Sequence, residues 1–208
     1  MHLLLIRHAT NDWVTGNRLA GWTPGVHLND AGRAEAGTLA ARLATEHLDA
    51  VYASPLERAR ETAGFVAAPH GLPVEVVDAL GEVRYGDWTG MSLEDLKDDP
   101  LLDGARRHPS MVRFPGGESL VEVQARAVTA VETIRAAHPD GVVAAVTHAD
   151  IVKLVVSHYC GLHLDMFPRL VVATASVTVL RFGKHTPRLL VFSDAGRLPL
   201  SPHSGPTV

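Results

Sequence analysis

The chain has 208 residues, 46% of them hydrophobic and 20% charged, with a formal net charge of -4. That composition suits one folded domain and excludes a disordered chain or a general binder of nucleic acid or bilayers. A single cysteine, Cys160, excludes an internal disulfide framework and a cysteine-only zinc site, and the apolar runs are too short for a signal peptide or a span of ~18–20 residues. A soluble, cytoplasmic protein is the expectation. With 12 histidines in the chain, where they fall is the main question.

In chain order, Leu3 to Ile6 is a continuous apolar run that reads as a strand buried on both faces, with Arg7 and His8 at its exit. Residues 11–29 hold Gly16, Gly21, Pro24 and Gly25 and read as a loop. Asn29 is placed to cap a helix from Asp30 to about Glu46. Asp49 to Ala53 reads as a second strand. Ser54-Pro55-Leu56-Glu57 then reads as a helix start, with Ser54 as cap, Pro55 in the first turn and Glu57 reaching back. Pro73 to Val77 is a third strand, and 80–90 is irregular. Ser92 is read as the cap of a short helix to about Lys97, and 91–117 as a flap or insertion. Ser119-Leu120-Val121-Glu122 is a second capping box, and Leu120, Val123, Ala127, Val131 and Ile134 share one face of the helix behind it. Gly141 to Val146 is a fourth strand ending at Thr147-His148. A helix over 151–159 and two closing strands, 176–182 and 188–192, complete the pattern. Strands alternating with helices predict an α/β three-layer sandwich: a mostly parallel central sheet flanked by helices, with a small insertion over the site. Residues 1–195 form one domain in this reading, and 196–208 a flexible tail.

Two apolar strands end in histidine, at His8 and His148. Ligands bind beyond the carboxyl ends of strands in such sheets, so both imidazoles are expected on one edge. Arg58, in the first turns of the helix after the second strand, is expected to project to the same edge. Arg7 and Arg58 carry planar, multi-donor heads suited to the oxygens of a phosphoryl group. Two cations beside two histidines disfavour the imidazolium, and a neutral imidazole beside a phosphoryl group is a nucleophile. Glu82 is the best-placed carboxylate to protonate a leaving oxygen, with Asp78 and Asp87 as competitors.

At this point the sequence resembles the histidine phosphatase superfamily, the phosphoglycerate-mutase-like proteins. The matching segments are Leu5-Ile6-Arg7-His8-Ala9-Thr10, the run Ala53 to Ala63 that begins Ala-Ser-Pro-Leu-Glu-Arg, Gly81-Glu82 with Tyr85-Gly86-Asp87-Trp88-Thr89-Gly90, Phe114-Pro115-Gly116-Gly117-Glu118-Ser119, and Val146-Thr147-His148-Ala149-Asp150. The resemblance implies that His8 becomes phosphorylated and that Arg7 and Arg58 clamp the phosphate. It implies that His148 stabilises the transition state, and that Glu82 is the acid and base. It implies no metal or other cofactor and a small phosphorylated substrate. Ala9 and Ala149 stand where the family usually has glycine, with their backbone amides expected to keep a phosphate contact. Thr10 offers a hydroxyl to phosphate. Val14 stands where many members have an asparagine, and Asn11 and Asn17 lie nearby out of register.

A phosphomonoester hydrolase is the leading function. The resemblance also admits a cofactor-dependent mutase, whose longer insertion before the long helix the short 90–116 segment does not match, and a weakly active regulatory phosphate-binding module. Taken singly, each residue has a plainer role. A strand-end histidine is more often an exposed surface group, Arg58 has Glu57, Glu61 and Glu35 as pairing partners, and the three tryptophans and Cys160 read as packing. Arg18, Arg84, Arg106, Arg107, His108 and Arg113 are candidates for a second anionic group on the substrate. The closing hairpin offers an edge for a homodimer.

Overall fold

The computed structural model describes residues 1–196, and the expected tail from 197 onward lies outside the described residues. Strands β1 (His2–Arg7), β2 (Ala50–Ala53), β3 (Val74–Val76), β4 (Val142–Thr147), β5 (Val177–Arg181) and β6 (Arg188–Asp194) form one sheet in the order β3-β2-β4-β1-β5-β6. β3, β2, β4 and β1 run parallel, and β5 is antiparallel to both β1 and β6. The central strands are apolar throughout because both faces are covered. Along β1, Leu3 and Leu5 enter one core while Leu4 and Ile6 enter the other.

Helices α2 (Asp30–Leu43) and α3 (Glu57–Ala67) pack on the Leu4 and Ile6 face through Ala36, Leu39, Leu43, Ala59, Ala63 and Val66. Helices α5 (Leu120–Ala137) and α6 (Ala149–Cys160) pack on the opposite face. The expected apolar face of α5 is buried, and its capping box forms with both Ser119 and Glu122 bonds present. Asn29 caps α2 by accepting from the Gly32 amide. Among the described residues, no helix is long and apolar enough to cross a membrane.

Four local expectations are corrected. Helix α3 starts at Glu57 with Leu56 as its uncapped N-terminal flank; the Ser54 hydroxyl bonds His148 and takes only one backbone amide, that of Leu56 at 3.3 Å, and the Glu57 carboxylate accepts from the Gly25 amide. Ser92 does close a reciprocal bond with Asp95, but the chain there makes turns and no helix. The helix of this region is instead α4 (Pro100–Arg107), capped by Asp99. Segment 91–117 is anchored to the core by Leu96, Leu102, Val112 and Phe114, while most of its residues stay partly or fully exposed. Cys160 is exposed, at the end of α6. A one-turn helix, α1 (Asp12–Thr15), also interrupts the loop expected over 11–29.

One close approach ties the fold to the edge where β1 ends. Gly32, in the first turn of α2, lies against the Thr10 carbonyl, and a Cβ there would overlap it. Gly37, five residues on, has open space around it. Gly32→Ala is expected to destabilise the protein by about 1–3 kcal/mol despite alanine's better helix propensity, whereas Gly37→Ala stabilises it by about 0.5–1 kcal/mol. Urea denaturation of the two variants beside the parent checks both signs.

Candidate active site

Strand register brings distant residues to one point. Arg7 pairs with Thr147 across β1 and β4, so His8 and His148 leave the sheet side by side. The His8 amide continues the ladder to the Thr147 carbonyl at 2.8 Å, and the Ser54 amide does the same from β2 to Val146 at 2.9 Å. The two imidazole centroids lie 5.1 Å apart at 63°. Arg7, His8, Arg58, Glu82 and Ala149 all line one cavity of about 150 Å³. His148 sits behind it, fully buried, with its Nδ1 3.7 Å from Glu82 Oε2.

Each ring has a defined orientation. His8 Nδ1 lies 2.7 Å from the Ala9 carbonyl. A carbonyl only accepts, so neutral His8 carries its proton on Nδ1 and keeps the Nε2 lone pair. His148 Nε2 lies 2.7 Å from Ser54 Oγ. Both imidazoles are held well below the usual histidine range, chiefly by burial and then by Arg58, with Arg7 and, for His148, His8 adding to it. The expectation of neutral rings therefore agrees with the site, but desolvation outweighs the like charge that motivated it.

The arginines are buried and only partly paired. Arg7 is 7% exposed and donates through Nη1 to the Val172 carbonyl at 2.6 Å; Arg58 is 1% exposed and donates through Nη2 to Gly21 at 2.9 Å. Arg7 Nε, Arg58 Nη1, Asn11 Nδ2 and His148 Nδ1 are buried without a hydrogen-bond partner among the described residues. All four atoms are nitrogens, and Arg7, Asn11 and Arg58 line the cavity. Glu82, with a side chain only 12% exposed, has its carboxyl pushed up to about 7. Burial is the main cause and Asp150 adds to it, against Arg58, the Val83 amide and Arg7.

Other expected residues fall differently. Thr10 is not among the residues lining the cavity, and its amide donates to Glu35 at 2.9 Å. The Ala9 amide turns away to Thr62 Oγ1 at 3.0 Å, so the contact expected of it is replaced by a bond that anchors the loop to α3. Ala149 opens α6 and faces the cavity. Val14 also lines the cavity, as does Asn11, whose Oδ1 caps α1 by accepting from the Trp13 and Val14 amides at 3.0 Å. Of the six basic candidates only Arg18 lines the cavity; it donates to the Gly90 carbonyl and lies over Trp13.

Sequence reasoning assigned no role to Asp150, Lys153 or Tyr85. Asp150 accepts from the Tyr85 hydroxyl at 2.8 Å and lies 3.4 Å from Lys153 Nζ. All three line the cavity, as do Trp13, Leu19 and Leu93. Asp150 lies two residues after His148, and that spacing is the signal available in the sequence. Among the described residues, no group of three or more His, Cys, Asp and Glu is arranged to hold a metal ion.

Comparison with known proteins identifies the family. The phosphoserine phosphatase 1 of Hydrogenobacter thermophilus is 34% identical over 167 residues, covering 79% of each chain. The glucosyl-3-phosphoglycerate phosphatase of Mycolicibacterium vanbaalenii is 31% identical over 176 residues, covering 80% of this chain and 77% of that one. The solved structure of Bacillus stearothermophilus YhfR superposes with a TM-score of 0.86 at 31% identity, over 93% of this chain and 96% of that chain. The family profile of the histidine phosphatase superfamily (branch 1) matches residues 3–195, and the chain belongs to that family.

Proposed function

We propose that this chain hydrolyses small phosphate monoesters through a phosphohistidine on His8. The observation that carries the reading is the set of unpartnered buried nitrogens on Arg7, Asn11, Arg58 and His148 around the free Nε2 of His8. Buried donors without partners are costly, and two buried guanidinium groups add uncompensated positive charge. A phosphoryl group supplies acceptor oxygens and the opposite charge at once. The named activities of the phosphatase relatives support the same chemistry.

In the first step His8 Nε2 attacks phosphorus, the ester P–O bond breaks, and the Glu82 carboxyl gives its proton to the departing oxygen. In the second step the Glu82 carboxylate takes a proton from water as that water attacks phosphorus. The P–N bond breaks, its electron pair returns to Nε2, inorganic phosphate leaves, and Glu82 is protonated again. Arg7, Arg58 and Asn11 donate to the transferring oxygens. His148 donates from Nδ1 if the Ser54 hydroxyl donates to its Nε2, the tautomer that this role requires. The cavity volume and the apolar wall of Trp13, Leu19 and Leu93 suit a small alcohol portion.

The test is release of inorganic phosphate from p-nitrophenyl phosphate and from a panel of phosphorylated metabolites. A parallel incubation with 3-phosphoglycerate and 2,3-bisphosphoglycerate is scored for 2-phosphoglycerate. Hydrolysis without isomerisation is expected, and His8→Ala abolishes it together with the acid-labile phosphoenzyme. Phosphate release by His8→Ala at the parent rate refutes the nucleophile.

Glu82 gives a pH signature. Its proton is present below about 7 and lost above, so kcat/KM for phenyl phosphate falls on the alkaline side of about pH 7. Glu82→Gln is expected to remove that limb and cost about 10²–10⁴-fold, with a smaller loss on p-nitrophenyl phosphate, whose leaving group needs less protonation. The same shift affects stability. Between 4.5 and about 7 the native state keeps a proton that the unfolded chain has released, so stability falls as pH rises through that window, by up to about 3 kcal/mol. Urea midpoints of Glu82→Gln are expected to lack that component.

Asn11→Asp keeps the acceptor that caps α1 but replaces the Nδ2 donor by an anion. It is expected to raise the inhibition constant for orthovanadate at least tenfold with little change in Tm.

A further inference from the structure

The segment that carries Glu82 has no regular secondary structure beyond a turn of 3-10 helix at Asp78–Leu80, yet its backbone acceptors are almost all taken by side chains from elsewhere. Arg126, on α5, donates through Nη1 to the carbonyls of Ala79 and Gly81, both at 2.8 Å. Its Nη2 donates to the Glu82 carbonyl at 2.9 Å. The Thr147 hydroxyl, at the end of β4, donates to the Leu80 carbonyl at 2.6 Å. Trp22 Nε1 donates to the Glu82 carbonyl at 2.5 Å, from the loop before α2. Four consecutive carbonyls are thus held by three side chains.

Arg126 is itself fixed. Glu118 takes it in a two-point pair, Nε to Oε1 at 2.8 Å and Nη2 to Oε2 at 2.9 Å, and the Glu118 Oε2 also accepts from the Arg84 amide at 2.9 Å. The Arg84 guanidinium lies 3.7 Å from the centre of the Trp22 ring. Gly81 is required for this closeness, since a Cβ there would overlap the same ring. Both side chains of the Arg126–Glu118 pair are about one-fifth exposed, so solvent screens the pair only in part. Neither Arg126 nor Glu118 lines the cavity.

We infer that Arg126, locked by Glu118, is a positioning residue that aims the Glu82 carboxyl at the leaving-group oxygen by clamping the carbonyls of residues 79, 81 and 82. The inference rests on the reading of Glu82 as the acid and base. Guanidinium geometry is what the role demands. A lysine has a single nitrogen and does not span three carbonyls and a carboxylate. Peptide carbonyls held from outside point away from the cavity, which leaves the Glu82 side chain to enter it. Small misplacements of a proton donor cost rate without costing phosphate affinity, because the clamp around the phosphoryl group is built from other residues.

The test compares Arg126→Met and Arg126→Lys with the parent enzyme on phenyl phosphate and p-nitrophenyl phosphate, with the orthovanadate inhibition constant measured alongside. The expected result is a fall in kcat/KM, which reports the phosphoryl-transfer step, of up to about 10²-fold on phenyl phosphate, a severalfold smaller fall on p-nitrophenyl phosphate, and an inhibition constant within twofold of the parent, with no restoration by lysine. Equal losses of kcat/KM on the two esters, or an inhibition constant that moves with kcat/KM, overturn the inference, because a merely structural role lowers every activity alike. If Arg126→Met does not fold, Glu118→Gln loosens the same guanidinium and is scored by the same ratio. Glu82→Gln is run in parallel. If its loss is the same on both esters the acid assignment fails, whereas a selective loss there with none in the Arg126 variants overturns the positioning role alone.

Discussion

Two guanidinium groups buried at the carboxyl edge of a parallel sheet are the constraint around which the rest of the site is organised. Arg7 and Arg58 each have one carbonyl partner and little access to water. Their charge keeps the neighbouring imidazoles unprotonated, reinforcing what burial already does. It also lowers the pKa of Glu82 by less than burial raises it, which leaves that carboxyl titrating at about 7. On the proposed reading, one unfavourable arrangement prepares a nucleophile, an acid and an anion receptor together, with a doubly charged phosphoryl group as its counter-ion.

The placement of these groups follows from strand order. β4 lies between β1 and β2, and its terminal residues accept ladder bonds from both neighbours just where those strands end. Residues that are 94 positions apart, Ser54 and His148, become hydrogen-bonded as a result. While Glu82 stands on an irregular segment, Arg7, His8, Arg58 and His148 are mounted on strand ends and helix starts. That suits chemistry requiring fixed angles between donor and acceptor.

Much of this was legible in the residues. Apolar runs at 3–6 and 142–146 announced central strands, and the Ser119-to-Glu122 box announced the long helix. The two strand-end histidines pointed to a shared edge because parallel strands must present their ends together. Legibility failed where a side chain had two possible partners. Ser54 reads as a helix cap, but His148 claims its hydroxyl, a contact that no local pattern encodes. The Ala9 amide was expected at the phosphate and instead meets Thr62. Helix α4 was hidden because its amphipathic stretch is only eight residues long and lies among prolines and polar residues. Tyr85 and Asp150 both stand in segments that carry the resemblance, but their meeting across 65 positions is a tertiary contact that neither segment encodes.

The loop between β1 and α2 is divided by its attachments. Its first half supplies Trp13, Val14, Asn17, Arg18, Leu19 and Ala20 to the cavity wall and is held through its backbone, Leu19 to Gly90 and Met91 and Asn17 to Leu93. Its second half is tethered: Gly21 to Arg58, Trp22 to Glu82, Gly25 to Glu57 and Leu28 to Glu61. On the proposed reading, a new leaving group calls for new side chains within 13–20 while the tethers of 21–28 hold Glu82 and Arg58 in place, so recognition and chemistry are divided within one stretch of chain.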